Sequence, residues 1–223
     1  MLLSTLDRFF SRFEVKDWRS RRTIYRLCRG YSTARQWKFF RSALRDEKIR
    51  AVCVLGVYFG RDIASLSWLL RQRGGNYCLV GVDLFADVPG ADWPQEKRGL
   101  TWQQAGFGPA PDRRTVVQSL QALGLNEKVE LVTHSAQHFL SETDEKFDFV
   151  YLDVAHDYET TAECIELALN RLNPGGLLAG DDFSNAGTWG VARAVEEYFP
   201  QRRLFGQSIW WSYPDLAKLA ARV

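Results

Sequence analysis

From about residue 50 onward the chain repeats one pattern, a short apolar run followed by a stretch of helical spacing. The apolar runs are AVCVLG, YCLVGVD, KVELVT, FDFVYLD and GGLLAGD. Runs this continuous fit strands buried on both faces, as in a parallel sheet covered by helices. The intervening spacing predicts helices near 62–73, 112–124, 136–141, 158–172 and 188–199. The final stretch, RRLFGQSIWWSY, holds two extended runs with too few residues between them for a helix, so it predicts an antiparallel hairpin. Residues 50–223 therefore read as one α/β, doubly wound domain.

The first 49 residues differ in character. They are expected to form a helical arm, with Ser4 three residues ahead of Asp7 as a cap and Leu3, Leu6, Phe9, Phe10 and Phe13 at helical spacing. The net charge of +2 conceals an asymmetry, because residues 1–50 hold 14 Lys/Arg against 5 Asp/Glu. A basic segment of this kind can meet nucleic acid, an anionic substrate or an acidic membrane surface. Packing of its aromatics on the main domain or in a homodimer, with the arginines in water, is the expectation.

One long irregular connection interrupts the alternation at 84–111, rich in proline and glycine and carrying Trp93, Trp102 and Phe107. Its length predicts a lid or binding loop, with a satellite core as the alternative. The four cysteines form no CxxC pair, no apolar run nears the length of a bilayer span, and the N-terminus lacks the order of a signal peptide. A soluble, cytoplasmic protein with no membrane span is expected.

Ligands of doubly wound sheets bind beyond the carboxyl ends of the strands, where the strand order reverses. Three places qualify. In VLGVYFGRD a strand runs into Gly56 and Gly60 and then a helix, which allows the backbone to approach a ligand closely. Asp83 ends the second strand, where a carboxylate can accept hydrogen bonds from both hydroxyls of a ribose. In YLDVAHDY, Asp153 ends the fourth strand and His156 follows; Asp181 and Asp182 end the fifth. Three carboxylates at one edge suit a hard divalent ion such as magnesium, calcium or manganese.

Taken in order, VLGVYFGRD, VGVDLF, FDFVYLDVAHDY, LNPGGLLAGDDF and GVARAVEEYF resemble the class I S-adenosylmethionine-dependent methyltransferases. The likeness is nearest to the macrocin O-methyltransferase and cephalosporin-hydroxylase-like branch and spans roughly residues 50–212. It implies a Rossmann-like seven-stranded sheet with a reversed last strand. It further implies that Gly56, Tyr58, Gly60, Leu84 and Asp153 surround the cofactor S-adenosylmethionine, that Asp83 holds its ribose, and that His134 and Ser135 edge its adenine. Asp153, Asp181 and Asp182 inherit a divalent cation, and His156, beside Asp153, is the candidate general base for a hydroxyl.

The expected reaction is methylation of a hydroxyl on a small-molecule acceptor such as a sugar, a phenol or a polyketide. Two features depart from the pattern: Val54 stands where many relatives have an acid that helps hold the cofactor's amino group, and His134 replaces an acid near the adenine. The rival readings are an RNA methyltransferase using the basic arm, although nucleic acid is not the expected partner, and an oxidoreductase on the same fold. The oxidoreductase lacks its GxGxxG order here.

Overall fold

The computed structural model describes residues 17–90, 93, 95–97 and 99–216. The proposed cap at Ser4 and the apolar spacing of residues 3–13 lie outside the described residues. Residues 17–27 are helical (α1), and α2 (Ala34–Ala43) follows, its start fixed by a capping box in which Thr33 and Gln36 serve each other's backbone groups. The alternation then runs β1 (Ala51–Leu55), α3 (Arg61–Arg73), β2 (Cys78–Asp83), α4 (Arg113–Ala122), β3 (Val129–Thr133), α5 (Ala136–Glu142), β4 (Phe147–Leu152), α6 (Tyr158–Leu169), β5 (Leu172–Gly180) and α7 (Val191–Tyr198). It closes with the hairpin β6 (Arg203–Phe205) and β7 (Ile209–Ser212).

The strands form one seven-stranded sheet in the order β3-β2-β1-β4-β5-β7-β6. β1 to β5 pair in parallel, and β7 inserts antiparallel between β5 and β6. The last strand is reversed, as the resemblance implies. β5 begins earlier than the GGLLAGD run, because Leu172 pairs with Phe147 before a register shift carries Phe149 to Leu177. That pairing also ends α6 at Leu169.

Side chains alternate across each strand, and the core divides accordingly. Val52 and Val54 of β1 with Phe149 and Tyr151 of β4 face one layer, which also holds Ile24, Cys28, Trp37, Phe39 and Phe40 from α1, α2 and the turn between them. Cys53, Leu55, Val150 and Leu152 face the other layer, against α5, α6 and α7. The helices before β1 thus complete one face of the sheet. Arg61 fastens them to the first strand's turn: its Nε donates to the Cys28 carbonyl at 3.0 Å, its Nη1 to the Ser32 carbonyl at 3.0 Å, and its guanidinium lies over the Tyr25 ring. Among the described residues, no helix is long and apolar enough to cross a membrane.

Candidate active site

The strand order reverses between β1 and β4, and a cavity of about 770 Å³ opens at their carboxyl ends. Gly56, Tyr58, Asp83, Leu84, His134 and Ser135 all line it. So do Asp153, His156, Asp181 and Asp182. Gly60 lies behind, as the N-cap of α3.

Gly56 has a positional reason to be glycine. Its φ is +89°, and a Cβ there would stand 1.8 Å from the carbonyl oxygen of Asp153. β1 and β4 therefore approach each other more closely than any side chain allows. Tyr58, Phe85 and Asp182 also adopt left-handed φ values, of 52°, 47° and 56°. Each follows the end of a central strand at the cavity, where backbone strain commonly marks a functional constraint.

Asp83 organises the first turn. Its Oδ2 accepts from the backbone N–H groups of Val57 and Tyr58, each at 2.8 Å, and its Oδ1 from that of Phe85 at 2.8 Å. Oδ2 is thereby filled, and Oδ1 keeps a second lone pair for a ligand hydroxyl. Ser135 caps α5 by accepting from the His138 N–H at 3.2 Å, and the His134 ring packs on His138 with centroids 4.4 Å apart.

The acidic edge splits in two. Asp153, His156 and Asp182 converge, with ligand atoms all within 4.8 Å of one another. His156 Nε2 lies 2.9 Å from Asp182 Oδ2, and its ring stacks on Trp189 with centroids 4.4 Å apart. Asp181 turns the other way: its Oδ2 accepts from Gln36 Nε2 and its Oδ1 from the Asp182 N–H at 2.9 Å. The structure thus groups His156, rather than Asp181, with Asp153 and Asp182.

Burial dominates the electrostatics here. It holds the Asp153 carboxyl well above its ordinary range, and Asp181, Asp62 and Asp182 push it further while His156 draws it back. Asp62 is pushed up to about 7, first by burial and then by Asp181, against a hydrogen bond from Ser32. The Tyr151 phenol beneath them stays protonated for the same reasons.

The aromatics of 84–111 pack on one another. Trp93 is buried, its ring 5.1 Å from that of Phe107 and 5.9 Å from that of Trp102, and Trp102 reaches Tyr58 at 5.3 Å. Trp93 and Trp102 also form part of the cavity wall. They make a satellite cluster whose inner side faces the site.

Residues 53–183, more than half of the chain, match a family described as a methyltransferase domain. The chain belongs to that family. Solved structures share this methyltransferase's fold. The O-methyltransferase NovP aligns at 16% identity over 80% of this chain and 79% of its own, with a TM-score of 0.66. The calicheamicin methyltransferase CalS11 aligns at 19% identity over 80% and 78%, with a TM-score of 0.61. TomG of Streptomyces achromogenes, an O-methyltransferase of tomaymycin synthesis solved with S-adenosylmethionine, aligns at 17% over 81% and 80%, with a TM-score of 0.57. No curated protein matches the sequence. The resemblance to S-adenosylmethionine-dependent methyltransferases holds in family and in fold.

Sequence reasoning missed Gln36, Asp62 and Trp189. Thr33 and Gln36 show a capping-box spacing that was readable, and Asp62 stands inside the quoted glycine turn. Trp189 had no signal, because it meets His156 only through the return of the loop after β5.

Proposed function

We propose that this methyltransferase transfers a methyl group from S-adenosylmethionine to a hydroxyl oxygen of a small molecule, with a divalent cation held by Asp153, His156 and Asp182. The convergence of those three side chains beside the Gly56 turn carries the reading. Their chemistry fits a cation: two carboxylates and an imidazole accept a hard or borderline divalent ion, and positive charge there would offset the carboxylate crowding that raises Asp153. When bound, such an ion acidifies a coordinated hydroxyl, and the cofactor supplies the electrophilic methyl.

The chain's own residues do the positioning on which an in-line displacement depends. Gly56 brings the backbone against the cofactor, Asp83 accepts from its ribose, and Tyr58, Leu84, His134 and Ser135 border the rest. Asp181, engaged by Gln36, stays out of the cation set. Trp93 and Trp102 exclude water from the acceptor side. The Trp102 indole N–H, buried without a partner, is placed to donate to an acceptor oxygen. A cavity of about 770 Å³ suits a small acceptor.

The 2.9 Å contact between His156 and Asp182 favours a second reading, in which Asp182 orients the ring and His156 Nδ1 takes the hydroxyl proton. Turnover of hydroxylated acceptors by metal-stripped enzyme, with and without magnesium, separates the two. The cation reading expects turnover only with the metal. Turnover that ignores the metal and vanishes in His156→Asn supports the base. Binding of RNA that falls steeply with salt would favour a nucleic-acid acceptor over both.

A further inference from the structure

Asp62 lies in the first turn of α3, two residues beyond Gly60, and is only 6% exposed. Its Oδ1 is buried and has no hydrogen-bond partner. The residue nevertheless lines the cavity. An unpartnered buried carboxylate oxygen is among the more expensive features a fold can retain, and native structures seldom keep one without a use.

Ser32 reaches the carboxyl, but no neighbour supplies the donor that Oδ1 lacks. The adjacent Arg61 points its guanidinium at the Cys28 and Ser32 carbonyls and the Tyr25 ring. Gln36 donates to Asp181 instead. Asp62 also stands outside the Asp153, His156 and Asp182 group, so a cation bound there leaves its Oδ1 unpartnered. An acceptor oxygen in this position calls for a positively charged donor that arrives with a ligand.

The position of Val54 indicates which ligand. The resemblance implies an acid two residues before Gly56 for the cofactor's amino group, but here that position is Val54, fully buried between Gly81 and Tyr151 in the sheet. The chain has placed its carboxylate six residues after Gly56 rather than two before it, at the same strand end.

We infer that Asp62 accepts the α-ammonium of the cofactor's amino-acid tail, in place of the acid absent at Val54. The assignment rests on the cofactor reading above. It makes Asp62 a binding residue specific for the amino group, separate from the cation set. An ammonium carries several donors, so one can fill Oδ1 while the opposite charge offsets the repulsion from Asp181.

The test compares two ligands on two proteins by calorimetry: S-adenosylhomocysteine and its analogue lacking only the α-amino group, on the wild type and on Asp62→Asn. In the wild type the amino group should strengthen binding at least about tenfold, and in Asp62→Asn less than about twofold. Asp62→Ser provides a second variant, with circular dichroism as the check on folding. An amino-group contribution of equal size in wild type and variants overturns the assignment, because Asp62 would then act only through structure. Wild type that binds neither ligand overturns the cofactor reading itself, and this assignment with it.

Discussion

Gln36 donates its Nε2 hydrogen to Oδ2 of Asp181, joining the second helix of the chain to the end of its fifth strand across 145 residues. The Oε1 of the same side chain accepts from the Thr33 N–H at 2.7 Å. One buried amide therefore caps α2 and compensates a carboxylate at the site. Gln36→Ala should lower stability by about 2 kcal/mol, the sum of a lost cap and a lost hydrogen bond to a charged group. Gln36→Glu should destabilise more than Gln36→Ala, since it removes the donor and sets a second carboxylate against Asp181. Urea unfolding of the two variants measures this.

Gly56→Ala should be among the most damaging single changes. A Cβ 1.8 Å from the Asp153 carbonyl must push β1 and β4 apart, and alanine is strained at a φ of +89°. A loss of at least about 3 kcal/mol is expected, read by thermal or chemical denaturation.

Asp62 makes stability fall as pH rises. Its folded pKa of about 7 exceeds the ordinary value of 3.8, so between those values the native state holds a proton that the unfolded state has lost. Stability from this group is present below about pH 4 and declines up to about pH 7. Asp62→Asn removes the penalty. The variant without ligand should melt higher than wild type at pH 8, by on the order of 5 °C, with the advantage shrinking toward pH 5. Calorimetric melts across that range decide the matter, and equal melting at pH 8 would contradict it.

Asp182→Asn should depress turnover by at least about a hundredfold while leaving the affinity for S-adenosylhomocysteine nearly unchanged. Loss of both together would place Asp182 in the cofactor site instead. Trp189→Ala, which frees the His156 ring from its stacked partner, should reduce turnover less and in the same direction. Steady-state kinetics beside binding titrations separate these effects.

The sheet was legible because four of its five parallel strands announce themselves as apolar runs ending in glycine or aspartate, while KVELVT ends in threonine and the last two strands show in their hairpin spacing. Gly56, Asp83, Asp153 and Asp182 were legible for the same reason, each marking a strand end that topology brings to one edge. The division between Asp181 and Asp182 was not. Adjacent side chains already point to opposite faces of a strand, and the left-handed φ of 56° at Asp182 completes the separation, sending one carboxylate to Gln36 and the other to His156. Gln36 stood in a segment read as an arm, where helical spacing shows which residues share a face but not what that face covers. Asp62 was hidden by its neighbours, because a carboxylate in a first helical turn ordinarily serves the helix.

The account stands most directly on one titration: metal-stripped protein with S-adenosylhomocysteine, without and then with magnesium. It predicts cofactor-product binding in both conditions, together with a heat of magnesium binding that disappears in Asp182→Asn. Absence of S-adenosylhomocysteine binding in both conditions would contradict it.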